Sequence, residues 1–179
     1  MPETDGRRAG LTLATRVTLA RILLALFLGP LILYFSPLVG AGLIALAGVT
    51  DFLDGYLARA RGEVTKFGAA LDPIADKLIA LSALIAFTAN GTLTGIHLYA
   101  VFAILLREIL IAGLREAAAD TVSMGVSALA KWKTTIQFLA FIALCFGPTP
   151  IALGLLWMAA ILTVWTGTSY IIRWWANVS

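Results

Sequence analysis

The chain has 179 residues, 60% hydrophobic and only 13% charged, with a formal net charge of +3. A soluble domain is about half apolar and about a quarter charged. The composition therefore excludes an ordinary soluble fold and points to an all-α integral membrane protein, residues 1–179 forming one domain. The basic balance, with a pI near 9.3, fits a face against anionic headgroups and excludes a nucleic-acid binder.

Residues 1–10 read as a polar N-terminal tail. The stretch Leu11–Arg21 mixes apolar residues with Arg16 and Arg21 and can begin as a short interfacial helix. The same two arginines interrupt the apolar run that a cleavable signal peptide needs, so none is expected. A helix that crosses the bilayer takes about 20 mainly apolar residues. Six segments meet that requirement: Val17–Phe35, Leu38–Ala58, Phe67–Ala89, Ile96–Ala118, Ser127–Phe146 and Ile151–Trp174. Ser36-Pro37, Asn90-Gly91 and Gly147-Pro148-Thr149-Pro150 break the chain after the first, third and fifth. Charged loops, Arg59–Lys66 and Asp120–Met124, follow the second and fourth. No internal repeat is legible.

Orientation follows from the thirteen Lys and Arg. Arg7, Arg8, Arg16 and Arg21 precede or open the first helix. Arg59, Arg61, Lys66 and Lys77 cluster around the second loop, Arg107 and Arg115 fall late in the fourth helix, Lys131 and Lys133 early in the fifth, and Arg173 ends the sixth. The opposite loops carry none. Basic residues favour the cytoplasmic side, so both termini and the even loops are expected there, in a bacterial inner membrane.

Four aspartates are the unusual feature. Asp51 and Asp54 are three apart on the second segment, and Asp72 and Asp76 four apart on the third, so each pair shares a helix face. An aspartate at a helix centre in the bilayer costs ~2.5–3.5 kcal/mol, and the neighbouring sequence lacks enough positive charge to compensate four. A short loop makes the two helices antiparallel neighbours, so the pairs lie at similar depth and form a hard-oxygen site suited to Mg²⁺ or Mn²⁺. Two such ions are a recurrent device for displacement at phosphorus. Gly55 and Gly68 allow close approach, and Gly68 stands one turn before Asp72 at the pocket mouth. Arg59 lies at the water edge, placed for a phosphate. Arg107, Arg115, Lys131 and Lys133 are candidates for a second phosphate, on a soluble acceptor.

Blander readings exist for each. A membrane-embedded carboxylate cluster also suits an ion-coupling site of a transporter, which would call for broken helices or paired repeats. Lys131 and Lys133 fit snorkelling anchors. Arg107-Glu108 and Arg115-Glu116 fit ion pairs at a cytoplasmic helix end. Trp157, Trp165, Trp174 and Trp175 fit interfacial or packing roles, His97 a structural role near the outer interface, and Cys145, the single cysteine, a packing role.

The pattern Asp-x2-Asp-Gly-x2-Ala-Arg-x8-Gly-x3-Asp-x3-Asp is met by Asp51, Asp54, Gly55, Ala58, Arg59, Gly68, Asp72 and Asp76. In it the chain resembles the CDP-alcohol phosphotransferases, over nearly its whole length. Arg107–Glu116 and Ala130–Thr134 resemble the branch of that family that uses glycerol 3-phosphate. One departure is Thr15, which stands where that branch often has Asn, while Thr18 and Arg21 match. The resemblance implies that Asp51, Asp54, Asp72 and Asp76 hold two divalent ions, Mg²⁺ or Mn²⁺, and that Asp76 is the general base. It implies a CDP pocket formed by Asp54, Gly55, Ala58, Arg59 and Gly68, with Thr18 and Arg21. The expected reaction moves a phosphatidyl group from CDP-diacylglycerol to glycerol 3-phosphate; inositol phosphate, serine or another alcohol would use the same aspartates. Membrane lipids, and a second copy of the chain in a homodimer, complete the implied partners.

Overall fold

The computed structural model describes residues 13–61, 66–117 and 128–178. They form α1 (Leu13–Tyr34), α2 (Pro37–Arg61), α3 (Lys66–Ala89), α4 (His97–Ala117), α5 (Ala128–Cys145) and α6 (Pro150–Val178). These are the six expected helices, with charged ends that run further than hydropathy alone suggests. Helix α2 continues through Arg59 to Arg61, and α3 opens at Lys66, so both ends of the expected charged loop are helical. Nor does a break set off an interfacial helix: α1 runs unbroken from Leu13 through Arg16 and Arg21. Lysine and arginine are good helix formers, so a helix has no reason to stop where the apolar run does.

Among the described residues, three helical stretches, Arg16–Tyr34, His97–Leu114 and Pro150–Ala176, are long and apolar enough to cross a membrane. The described stretches Pro37–Asp51 of α2 and Trp132–Cys145 of α5 are apolar as well. The protein is an integral membrane protein, and its surface agrees. Leu23, Leu26 and Phe27 on α1, Phe102, Leu106 and Ile109 on α4, and Ile161 and Trp165 on α6 are all exposed, a patch that water would not tolerate and lipid does.

The breakers that end one helix begin the next. Thr149 Oγ1 accepts from the Ala152 N–H at 3.2 Å, an N-cap, with Pro150 at the first helical position, where its missing N–H is no loss. Gly91 takes φ +76° after α3, and the Leu93 N–H returns to the Phe87 carbonyl at 2.8 Å.

Contacts close the helices into a ring: α1 packs on α2 and α3, α2 on α5, α5 on α6, α6 on α4, and α4 back on α3. Leu28, Ile44, Ile79, Phe87, Ile104 and Phe141 are fully buried inside it. Many remaining core positions are alanines, among them Ala47, Ala75, Ala83 and Ala140. Lipid is as apolar as the core, so close packing of small residues replaces the hydrophobic drive between helices. Helix α1 approaches α3 closely at Gly29, whose N–H donates to Ser82 Oγ at 2.9 Å. A Cβ there would meet that oxygen at 3.1 Å. Gly29→Leu is expected to cost about 1–3 kcal/mol by overpacking, read as a lower melting temperature in detergent; an unchanged melt would mean that the two helices are not locked at this point.

Candidate active site

On α1, Thr18 and Arg21 lie one turn apart on the buried face, at 1% and 3% exposure. A buried arginine keeps its charge and needs a partner. Arg21 finds two. Its Nη1 donates to Asp51 Oδ1 on α2 and, at 3.1 Å, to Asp76 Oδ1 on α3. One guanidinium nitrogen thus draws together carboxylates that lie 30 and 55 residues from it in the chain. The expectation that the aspartates lack protein positive charge nearby is corrected in part. That charge is distant in sequence and arrives because α1 packs against both motif-bearing helices.

Asp51 and Asp76 are still 42% and 39% exposed. Hard oxygen donors from two helices therefore converge at an accessible place, the donor chemistry that Mg²⁺ and Mn²⁺ accept. Among the described residues no group of three or more His, Cys, Asp or Glu comes together. Asp54 lies one turn beyond Asp51 on α2, and Asp72 one turn before Asp76 on α3. The side chains of Asp54, Ala58, Arg59 and Asp72, and the surroundings of Gly55 and Gly68, lie outside what the structure describes.

A second polar junction joins α4, α5 and α6. Glu108 Oε1 accepts from Lys133 Nζ and from Arg107 Nη1 at 3.3 Å. Arg107 Nη2 also donates to Thr166 Oγ1 at 3.3 Å. Lys133, Arg107 and Glu108 are 6%, 14% and 17% exposed. Two of the four candidate phosphate-binding cations are thereby brought together; the side chains of Arg115 and Lys131 lie outside the described residues. Lys133 is no snorkelling anchor, because it turns inward to an acid. Nor is Arg107-Glu108 a pair at a helix end, since α4 runs on to Ala117. The sequence reading missed the joining role of Glu108, and with it Thr166 and Gly167. Adjacent helical residues do not face each other, so an acid in an apolar helix beside an arginine was itself a sign that a further cation lay on another element.

Away from both sites, Trp157 Nε1 donates to His97 Nδ1 at 3.2 Å, tying the start of α4 to α6.

The sequence model of the CDP-alcohol phosphatidyltransferase family matches residues 11–165. A protein of Haemophilus influenzae named CDP-diacylglycerol–glycerol-3-phosphate 3-phosphatidyltransferase is 41% identical over 76% of this chain and 77% of its own length. A protein of that name from Rickettsia bellii is 44% identical over 75% of this chain and 80% of its own. Another, from Rickettsia felis, is 38% identical over 89% and 90%.

Proposed function

Because the chain belongs to the CDP-alcohol phosphatidyltransferase family, we propose as its function the transfer of a phosphatidyl group from CDP-diacylglycerol to glycerol 3-phosphate, giving phosphatidylglycerophosphate and CMP. The observation that carries the chemistry is the meeting of Asp51 and Asp76 on Arg21, first and last acids of the family motif. The acceptor rests on relatives of that name at about 40% identity. Family membership also removes the transporter reading.

Asp51, Asp54, Asp72 and Asp76 would hold two ions, Mg²⁺ or Mn²⁺, whose charge, when bound, offsets that of the pyrophosphate and of the departing CMP. The chain's residues do the rest. Thr18, Gly55, Ala58, Arg59 and Gly68 line the CDP pocket, with Arg59 on its phosphates. Asp76 accepts the proton of the acceptor's 1-hydroxyl. The alcohol oxygen bonds to the β-phosphorus as that atom's bond to the CMP oxygen breaks. Arg21, bonded to Asp76, fixes the direction in which the base faces. Arg107, Arg115, Lys131 and Lys133 receive the acceptor's phosphate.

The basic residues support placing both termini and this site at the cytoplasmic side of a bacterial inner membrane. A groove of roughly 620 Å³ along α4 and α6, lined by Ala103, Ile161, Val164, Trp165 and Ile172 with Thr168 and Ser169 at its polar edge, suits hydrocarbon tails. The exposed apolar faces leave room for a second copy of the chain.

Purified protein is expected to release CMP from CDP-diacylglycerol with Mg²⁺ and glycerol 3-phosphate, and to stop when EDTA is added. Release with inositol phosphate or serine instead would keep the aspartate chemistry and discard the acceptor. Undiminished release in EDTA would discard the metals.

A further inference from the structure

The junction of α4, α5 and α6 holds two cations on one carboxylate, and the arrangement is more constrained than an ordinary ion pair. Lys133 and Arg107 come from different helices and are both largely buried. Left alone they would repel, and each would be costly to hold out of water. Glu108 Oε1 accepts from both, which keeps them adjacent. Glu108 thus holds two basic side chains from different helices at one point.

Arg107 is fixed from a second side. The Thr166 hydroxyl donates towards the backbone carbonyls of Leu162 and Thr163, at 2.8 and 3.2 Å. Its hydrogen is thereby committed and its oxygen serves as an acceptor for Arg107 Nη2. The arginine stem crosses α6 over Gly167, where a Cβ would stand 2.9 Å from Arg107 Cγ and 3.3 Å from its Nε. The absence of a side chain at this position is what lets the stem lie there.

We infer that Glu108 is a positioning residue for the acceptor, holding Lys133 and Arg107 at one point as a paired phosphate subsite, with Thr166 and Gly167 fixing the guanidinium. The inference rests on the reading that Arg107 and Lys133 take the phosphate of glycerol 3-phosphate, and deepens it. Glu108 itself touches no reacting atom, so its effect falls on acceptor binding.

Steady-state CMP release tests this in the full-length protein, with glycerol 3-phosphate and CDP-diacylglycerol varied separately. Glu108→Gln is expected to raise KM for glycerol 3-phosphate about tenfold, the scale of one charge-assisted hydrogen bond, while kcat and KM for CDP-diacylglycerol stay within about twofold. Glu108→Asp should recover part of that loss. Gly167→Ala, which keeps the charges and displaces only the arginine stem, should give the same pattern more weakly, and serves if Glu108→Gln does not fold. Arg107→Gln and Lys133→Gln separate the two layers. If neither raises KM for glycerol 3-phosphate, the phosphate subsite is wrong and the positioning role falls with it. If both raise it while Glu108→Gln and Gly167→Ala leave it unchanged or lower only the melting temperature, the subsite stands and the role of Glu108 is purely structural.

Discussion

Asp76→Asn is expected to reduce CMP release by about 10²–10⁴-fold, the range for loss of a positioned general base, in a protein that still folds. Asparagine keeps the shape and an acceptor oxygen, so Arg21 retains a hydrogen bond at position 76 and its charge partner at Asp51. The substituted amide cannot take a proton from the acceptor hydroxyl. The melting temperature in detergent should therefore move little while turnover collapses. A near-normal rate would sink the assignment of Asp76 as base. A collapse of rate together with unfolding would show instead that the carboxylate is needed to hold α3 against α1.

The second large effect concerns stability and turns on which partner of the Arg21 cluster is buried. Arg21 is 3% exposed, whereas Asp51 and Asp76 are 42% and 39% exposed. Removing the arginine, as in Arg21→Met, leaves two carboxylates that water can reach, at a cost of about 1.5–3 kcal/mol for the lost charged hydrogen bonds. Removing both acids, as in Asp51→Ala with Asp76→Ala, takes these two ion pairs from a buried guanidinium that cannot shed its proton. A buried charge without its partner costs about 3–5 kcal/mol. The double variant should melt below Arg21→Met when both are measured in EDTA, so that metal binding plays no part. Adding Arg21→Met to the double variant should restore part of the loss, because it removes the buried charge that the two acids offset, a coupling that neighbours in one network show. If the three losses simply added, or Arg21→Met were the worst of the set, the ion pairs would not be what joins α1 to α2 and α3.

Much of this protein is legible without coordinates, for identifiable reasons. Transmembrane helices announce themselves by apolar length, and their ends by breakers such as Ser36-Pro37 and Gly147-Pro148, because the bilayer forces backbone polar groups to be satisfied within each segment. Spacing of three and four is a statement about one helix, so it pairs Asp51 with Asp54 and Asp72 with Asp76 before anything is known of packing. Helix ends were less legible where charged residues such as Arg59–Arg61 continue a helix beyond its apolar run.

The chain by itself thus determined the helical membrane architecture, the order of its elements and the acidic motif, since each depends on local composition or on a period within one helix. Beyond the neighbours that a short loop implies, it could not tell which helices touch. Only the ring of helices brings Arg21 from α1 onto Asp51 and Asp76, and sets Glu108 of α4 between Arg107 and Lys133 with Thr166 of α6 behind. Those meetings depend on close approaches at residues such as Gly29 and Gly167. A glycine in a sequence does not name the side chain that will lie across it; the packing of a second helix decides that.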